Sequence, residues 1–302
     1  MGTSTTAKSA VPSTAGSAGL TFGGVLKSEW IKFRSLLSTK LLVLCAFVAV
    51  IGVGTLAAWL RGTVIQQLMS GAADRGPAQG AGGAKLTEAM AEQSLPPAFE
   101  IYGVPNAGLQ IGILILGSLA VLFISSEFAT GMIRSTMTAV PRRLPAFAAK
   151  AIVLVVVAYA LTLVAAFVTF LISIPILHAY GVSMSLQRDG VVQGIFMGGL
   201  YVAGVALIGL SLGALLRNSA GGIMVLVALF FVLPFATSLL GLVPGEFWMH
   251  VNEYVPSVAG GRMLEIGHRD AFIDPGDGGL IFLAWILVFL IPAVVTLKKR
   301  DL

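Results

Sequence analysis

The stretch AIVLVVVAYALTLVAAFVTFLISIPIL, residues 151–177, contains no Lys, Arg, Asp, Glu or His. About 18 apolar residues in a row are enough for a helix to cross the roughly 30 Å hydrocarbon core of a bilayer. Its apolar residues do not alternate with polar ones, so the reading is a spanning helix and not a barrel strand. Working outward, the span is placed at about 149–177, with Lys150 at its start. Runs of the same kind lie near 41–60, 107–125, 195–216, 221–243 and 280–297. The chain is therefore read as an all-α integral membrane protein with six transmembrane helices. The middles of these spans carry no ionisable pair, which excludes an obvious ion or proton relay through the membrane.

Composition agrees with that reading. The 302 residues are 57% hydrophobic and only 11% charged, with a mean hydropathy of +0.93, outside the range of ordinary soluble domains. The net charge of +5 is distributed as a membrane topology and not as a nucleic-acid surface. With an inner N-terminus and six alternating spans, the inner segments hold Lys8, Lys27, Lys32, Arg34, Lys40, Arg134, Arg142, Arg143, Lys150, Arg217, Lys298, Lys299 and Arg300. The outer loops hold only Arg61, Arg75, Lys85, Arg188, Arg262 and Arg269. Lys and Arg near span ends set orientation, so both termini are expected in the cytoplasm of a multi-pass plasma-membrane protein. The single Cys45 allows no disulfide or cysteine-based zinc cluster within one chain.

Residues 1–20 are rich in Ser, Thr, Ala and Gly and are expected to be disordered, and no apolar core that would make them a signal peptide follows before residue 41. Gly71 to Ala84 reads as a mobile external linker. Residues 21–40 form an expected amphipathic interfacial helix, in which Leu26, Trp30, Phe33 and Leu37 share one stripe and Lys27, Lys32 and Arg34 lie off it. Such a helix serves either as a passive anchor or as a transmitter of motion. The six-span domain then occupies 41–302.

The segment 126–148 is the richest constellation. Glu127 closes the second span, Phe128, Thr130, Gly131, Met132 and Arg134 follow, and Pro141 and Pro145 punctuate the end. Ile133, Met137 and Val140 form one apolar stripe beside Arg142 and Arg143. Two readings stand on these residues: a docking surface for another protein, and a short helix resting on lipid.

Phe123-x3-Glu127-x3-Gly131-x-Ile133, ending at Pro141-Arg142-Arg143, resembles the cytoplasmic loop of ABC-2 type transporter permeases. Ser28-Glu29-Trp30-Ile31-Lys32-Phe33-Arg34-Ser35 is similar to the opening of such permeases in high-GC Gram-positive bacteria. Tyr254-Val255-Pro256-Ser257-x-Ala259-Gly260 resembles their last external segment. The resemblance covers about residues 21–302 and implies the ABC-2 permease fold. It implies a permease subunit of an ATP-driven exporter, paired with a second permease chain as a homo- or heterodimer. Each chain would dock on a separate ATP-binding subunit that carries ATP and Mg, through a coupling loop from Glu127 to Arg143. It implies short external or re-entrant helices over about 244–279, where Phe247, Trp248 and Tyr254 are expected interface anchors. The resemblance selects no cargo class; the apolar lining of such a path favours hydrophobic or amphipathic cargo, and no cofactor or metal is expected on this chain.

The motifs that would change that division of labour are missing. No G-x-x-x-x-G-K-[ST] occurs, so this chain lacks the phosphate-cradling loop of an ATPase. Gly52-Val53-Gly54-Thr55-Leu56-Ala57 matches the short dinucleotide fingerprint but sits mid-span with no strand before it. His178, His250 and His268 lack ligand spacing and read as solvated. Gly190, Gly194 and Gly198, with Gly209 and Gly213, give the fourth span a small-residue stripe suited to close helix contact. Pro175, Pro234 and Pro292 are expected kinks. The competing classes are a non-transporting membrane scaffold or immunity protein, a secondary transporter and an intramembrane enzyme. The second would want mid-membrane charges and repeated halves, and the third a nucleophile–base pair or metal ligands.

Overall fold

The computed structural model describes residues 21–74, 102–131, 143–187, 190–265 and 272–299. Among them every regular element is helical. Six helices are long and apolar enough to cross a membrane: Leu37–Gln67, Val104–Ala129, Leu144–Ala179, Val191–Leu216, Ser219–Leu240 and Pro275–Lys299. The chain is a multi-pass membrane protein, and each span contains the core of its sequence-derived counterpart.

Helix α1 (Phe22–Ser35) is capped by Thr21, whose hydroxyl accepts from the Gly24 N–H at 3.3 Å. Leu36 is extended, and α2 (Leu37–Asp74) begins at once. The helix is thus shorter than the expected 21–40, and Leu37 falls in the first span. Val25, Glu29 and Phe33 face inward, while Trp30 is 45% exposed and Leu37, now part of the first span, is 70% exposed. Leu26 is half-buried. The ion pairs of Glu29 described below turn the helix this way.

After a 3-10 turn at Val104–Asn106 comes α3 (Leu109–Ala129), followed by α4 (Arg143–Ala179) and α5 (Val191–Leu216). At 37 residues α4 is about 55 Å long, more than the hydrocarbon core requires. The fifth span joins α6 (Ser219–Val227), a π-helical segment at Ala228–Val232 and α7 (Leu233–Leu240). Pro234 lacks the N–H an α-helix would use, and the wide turn stands immediately before it. Short helices α8 (Glu246–His250) and α9 (Pro256–Arg262), separated by a 3-10 turn, lead to α10 (Pro275–Lys299).

Helix α5 is the centre of the bundle, flanked by α3, α4, α6 and α10. Lipid tails are as apolar as Leu, so spans hold together by close contact and not by expulsion of water. The glycine stripe supplies that contact within the chain. A Cβ on Gly209 would lie 2.5 Å from the Gly117 carbonyl oxygen, and one on Gly213 would lie 2.8 Å from that of Val121. These backbone approaches seat α5 on α3 and so fix where the ends of α3 and α4 meet α1.

Candidate functional site

At the end of the bundle where α3 stops and α4 starts, four charged side chains close into one cluster. The Lys150 ammonium donates to Glu29 Oε2 at 2.7 Å and to Glu127 Oε1 at 3.0 Å. Lys32 donates to Glu29 Oε1 at 2.7 Å and to Glu127 Oε1 at 3.2 Å. Glu29 is 1% exposed, Lys150 3% and Glu127 6%. Two carboxylates alternate with two ammonium groups, so the cluster is neutral while every charge has opposite neighbours. The Phe123 ring, 3.9 Å from the Lys150 nitrogen, covers a further side of it. Phe33 meets Phe123 edge-on at 5.4 Å and closes the apolar wall.

Burial alone would raise the Glu29 carboxyl, but the charge and hydrogen bond of Lys150, then those of Lys32, outweigh it and hold the group below its ordinary range. For Lys32, burial pulls the ammonium down, and the Glu29 hydrogen bond with the charges of Glu127 and Glu29 raises it above its ordinary range. Removing one partner from such a buried set leaves an uncompensated charge. The cluster joins three elements: Glu29 and Lys32 from α1, Glu127 from the last turn of α3, and Lys150 from the start of α4.

Glu127 and Lys150 therefore bracket the segment on which the sequence placed its functional stripe. Of that stripe, Met132, Ile133, Arg134, Met137, Val140, Pro141 and Arg142 lie outside the described residues, and Arg143 opens α4. The near end is described. Thr130 is exposed and its hydroxyl donates to the Ser126 carbonyl at 2.8 Å. Gly131 ends α3 in the left-handed region at φ 70°. Phe128 is half-buried, with the Arg217 guanidinium 5.1 Å from its ring centroid. Arg217 is the one non-glycine residue at positive φ among the described residues.

Among the described residues the cations on the Glu127 carboxylate are Lys32 and Lys150, while Arg34 is exposed. The signal was present: Glu29 and Glu127 are two of only three acids on the side assigned as inner, and each stands where a span end can bring a lysine to it.

The opposite end of the bundle carries a second charged set. Arg262 donates to Glu265 at 2.8 Å, but its approach to Glu253 is 3.6 Å and that of His250 Nδ1 to Glu253 is 3.7 Å. His250 Nδ1, Glu253 Oε2 and Arg262 Nε are buried without a hydrogen-bond partner. The reading of His250 as solvated is corrected: its ring also stacks on Phe272 at 3.7 Å. Phe247, Trp248 and Tyr254 are exposed nearby, and the Tyr254 carbonyl accepts from the Trp285 indole at 2.9 Å. An apolar cleft of about 620 Å³ runs between α5 and α10, lined by Leu200, Leu207, Phe282 and Leu287 among others. Among the described residues no three His, Cys, Asp or Glu side chains gather to hold a metal ion. No protein-family model matches this chain, and no curated protein matches it either.

Proposed function

We propose that this chain is the membrane-spanning permease subunit of an ATP-driven ABC exporter of the ABC-2 type. It sits in the plasma membrane with both termini in the cytoplasm and pairs with a second permease chain. The observation that carries the reading is that both ends of the segment between α3 and α4 enter one buried charge cluster with α1. A push on that segment would move two spans and α1 together, as a contact with a separate motor requires. The resemblance of residues 123–143 to the permease coupling loop gives the push its source, an ATP-binding subunit holding ATP and Mg. Hydrophobic or amphipathic cargo would then pass along walls that are mostly apolar.

The test is Met137→Asp, with expression matched to the parent chain. A buried apolar anchor truncated in a docking cleft costs roughly 1–3 kcal/mol. Co-purification of an ATP-binding subunit in mild detergent should fall, or ATP turnover should uncouple from transport, with membrane insertion unchanged. Arg142→Ala with Arg143→Ala should have a milder effect, greatest at low salt, where rim charges are least screened. Normal assembly, turnover and transport in Met137→Asp would leave the loop as a lipid-resting helix and favour a non-transporting membrane scaffold.

A further inference from the structure

A groove of about 330 Å³ runs between α1 and α4, on apolar walls with one cation at its edge. Leu26 and Trp30 of α1 form one wall, Ile152 and Val156 of α4 the other, and Lys27 and Gly23 complete it. Trp30, Ile152 and Val156 are all largely exposed, so the groove opens on the side of the protein that lipid covers. Ligand clefts usually measure about 300–1,000 Å³, which puts this one at the size of a single slender chain. The Lys27 ammonium has no acid partner among the described residues, in contrast to its neighbour Lys32, which is engaged by two carboxylates. A groove with apolar walls, an indole and one free cation matches an anionic phospholipid: acyl chain between the helices, headgroup phosphate at Lys27.

We infer that this groove is a binding site for an anionic phospholipid, which wedges α1 against the third span. The inference does not depend on the permease reading. The charge cluster fastens α1 to α4 from within through Glu29 and Lys150, and the lipid fills the seam left between the same two helices.

The test uses the full chain with Trp59, Trp248 and Trp285 replaced by Phe, so that Trp30 is the one indole. The protein is placed in phosphatidylcholine vesicles containing increasing brominated phosphatidylglycerol or, in parallel, brominated phosphatidylcholine. The anionic probe should quench Trp30 at about a fivefold lower mole fraction, the factor a single basic residue contributes at a membrane surface. Lys27→Ala should abolish that preference and Lys27→Arg should keep it. Lys40→Ala, an exposed cation outside the groove, should leave it unchanged. Gly23→Leu should also reduce it, because a side chain there meets open space and would fill the groove. Equal quenching by the two lipids, or equal loss of preference in Lys40→Ala, would reduce the effect to general surface charge and overturn the site. So would Gly23→Leu with undiminished preference, or a Trp30 shielded from both probes by a bound protein.

Discussion

The two ends of this bundle hold charged sets of nearly the same composition and opposite finish. At one end Glu29, Lys32, Glu127 and Lys150 make four contacts of 2.7–3.2 Å. At the other, Glu253 and Glu265 share Arg262 while His250 approaches Glu253, and two of the three contacts exceed 3.5 Å. Beyond that distance an ion pair has lost its hydrogen bond and keeps only its Coulomb attraction. The closed set behaves as a joint between helices. The open set leaves three buried polar atoms unpaired and constrains its segment far less. Inventory of residue types does not distinguish them; the geometry of the last half ångström does.

The strongest way to break the comparison is to remove one cation from each set. Lys150→Met leaves Glu29 and Glu127 facing each other with only Lys32 between, and should destabilise the protein by about 3–5 kcal/mol. Arg262→Met should cost about 1 kcal/mol or less, as for a partly exposed pair. Thermal unfolding of both variants in the same detergent measures the contrast, and similar losses would abolish it.

Acidity probes the closed set alone. Because the Glu29 carboxyl is held below its unfolded value of 4.5, its contribution is complete above that pH and fades as pH falls through the lowered value. Lys32, raised above 10.5, contributes fully below that pH and loses its contribution as pH rises through the raised value. The hold on α1 should therefore be flat between about 4.5 and 10.5 and fall outside. Single-tryptophan fluorescence of Trp30 against pH reads this directly, and a transition near neutrality would contradict it.

The smallest effect is expected beside the cluster, at the stop of α3. Gly131 has φ 70°, so Gly131→Ala should cost about 1 kcal/mol of backbone strain and Gly131→Asn less. Unfolding measurements on the two variants separate backbone strain from loss of the ion pairs, which neither substitution touches.

The spans were legible because uncharged runs have few alternatives in a chain this apolar. The glycine stripe on 190–213 was legible too, and the close helix contact it predicts is the seat of α5 on α3. The buried side of α1 was not. Periodicity marked a stripe of Leu26, Trp30, Phe33 and Leu37 for the membrane interface, and gave no sign that Glu29, held by Lys150 121 residues away, would be buried with Val25 and Phe33. Helical periodicity ranks apolar faces and is blind to a polar residue that acquires its partner through tertiary structure. Lys150 also read as an orientation signal, a role that conceals its part as counter-ion.

That separation of 121 residues between Glu29 and Lys150 has a consequence for synthesis. At roughly 5–20 residues per second, Glu29 leaves the ribosome about 6–24 s before its main partner. Lys32, three residues on and 2.7 Å away in the finished protein, is available at once. It can serve as the provisional counter-ion that keeps the α1 carboxylate solvated and charged until the third span is inserted. The order of translation thus gives the two lysines different duties: one to wait with Glu29, the other to bury it.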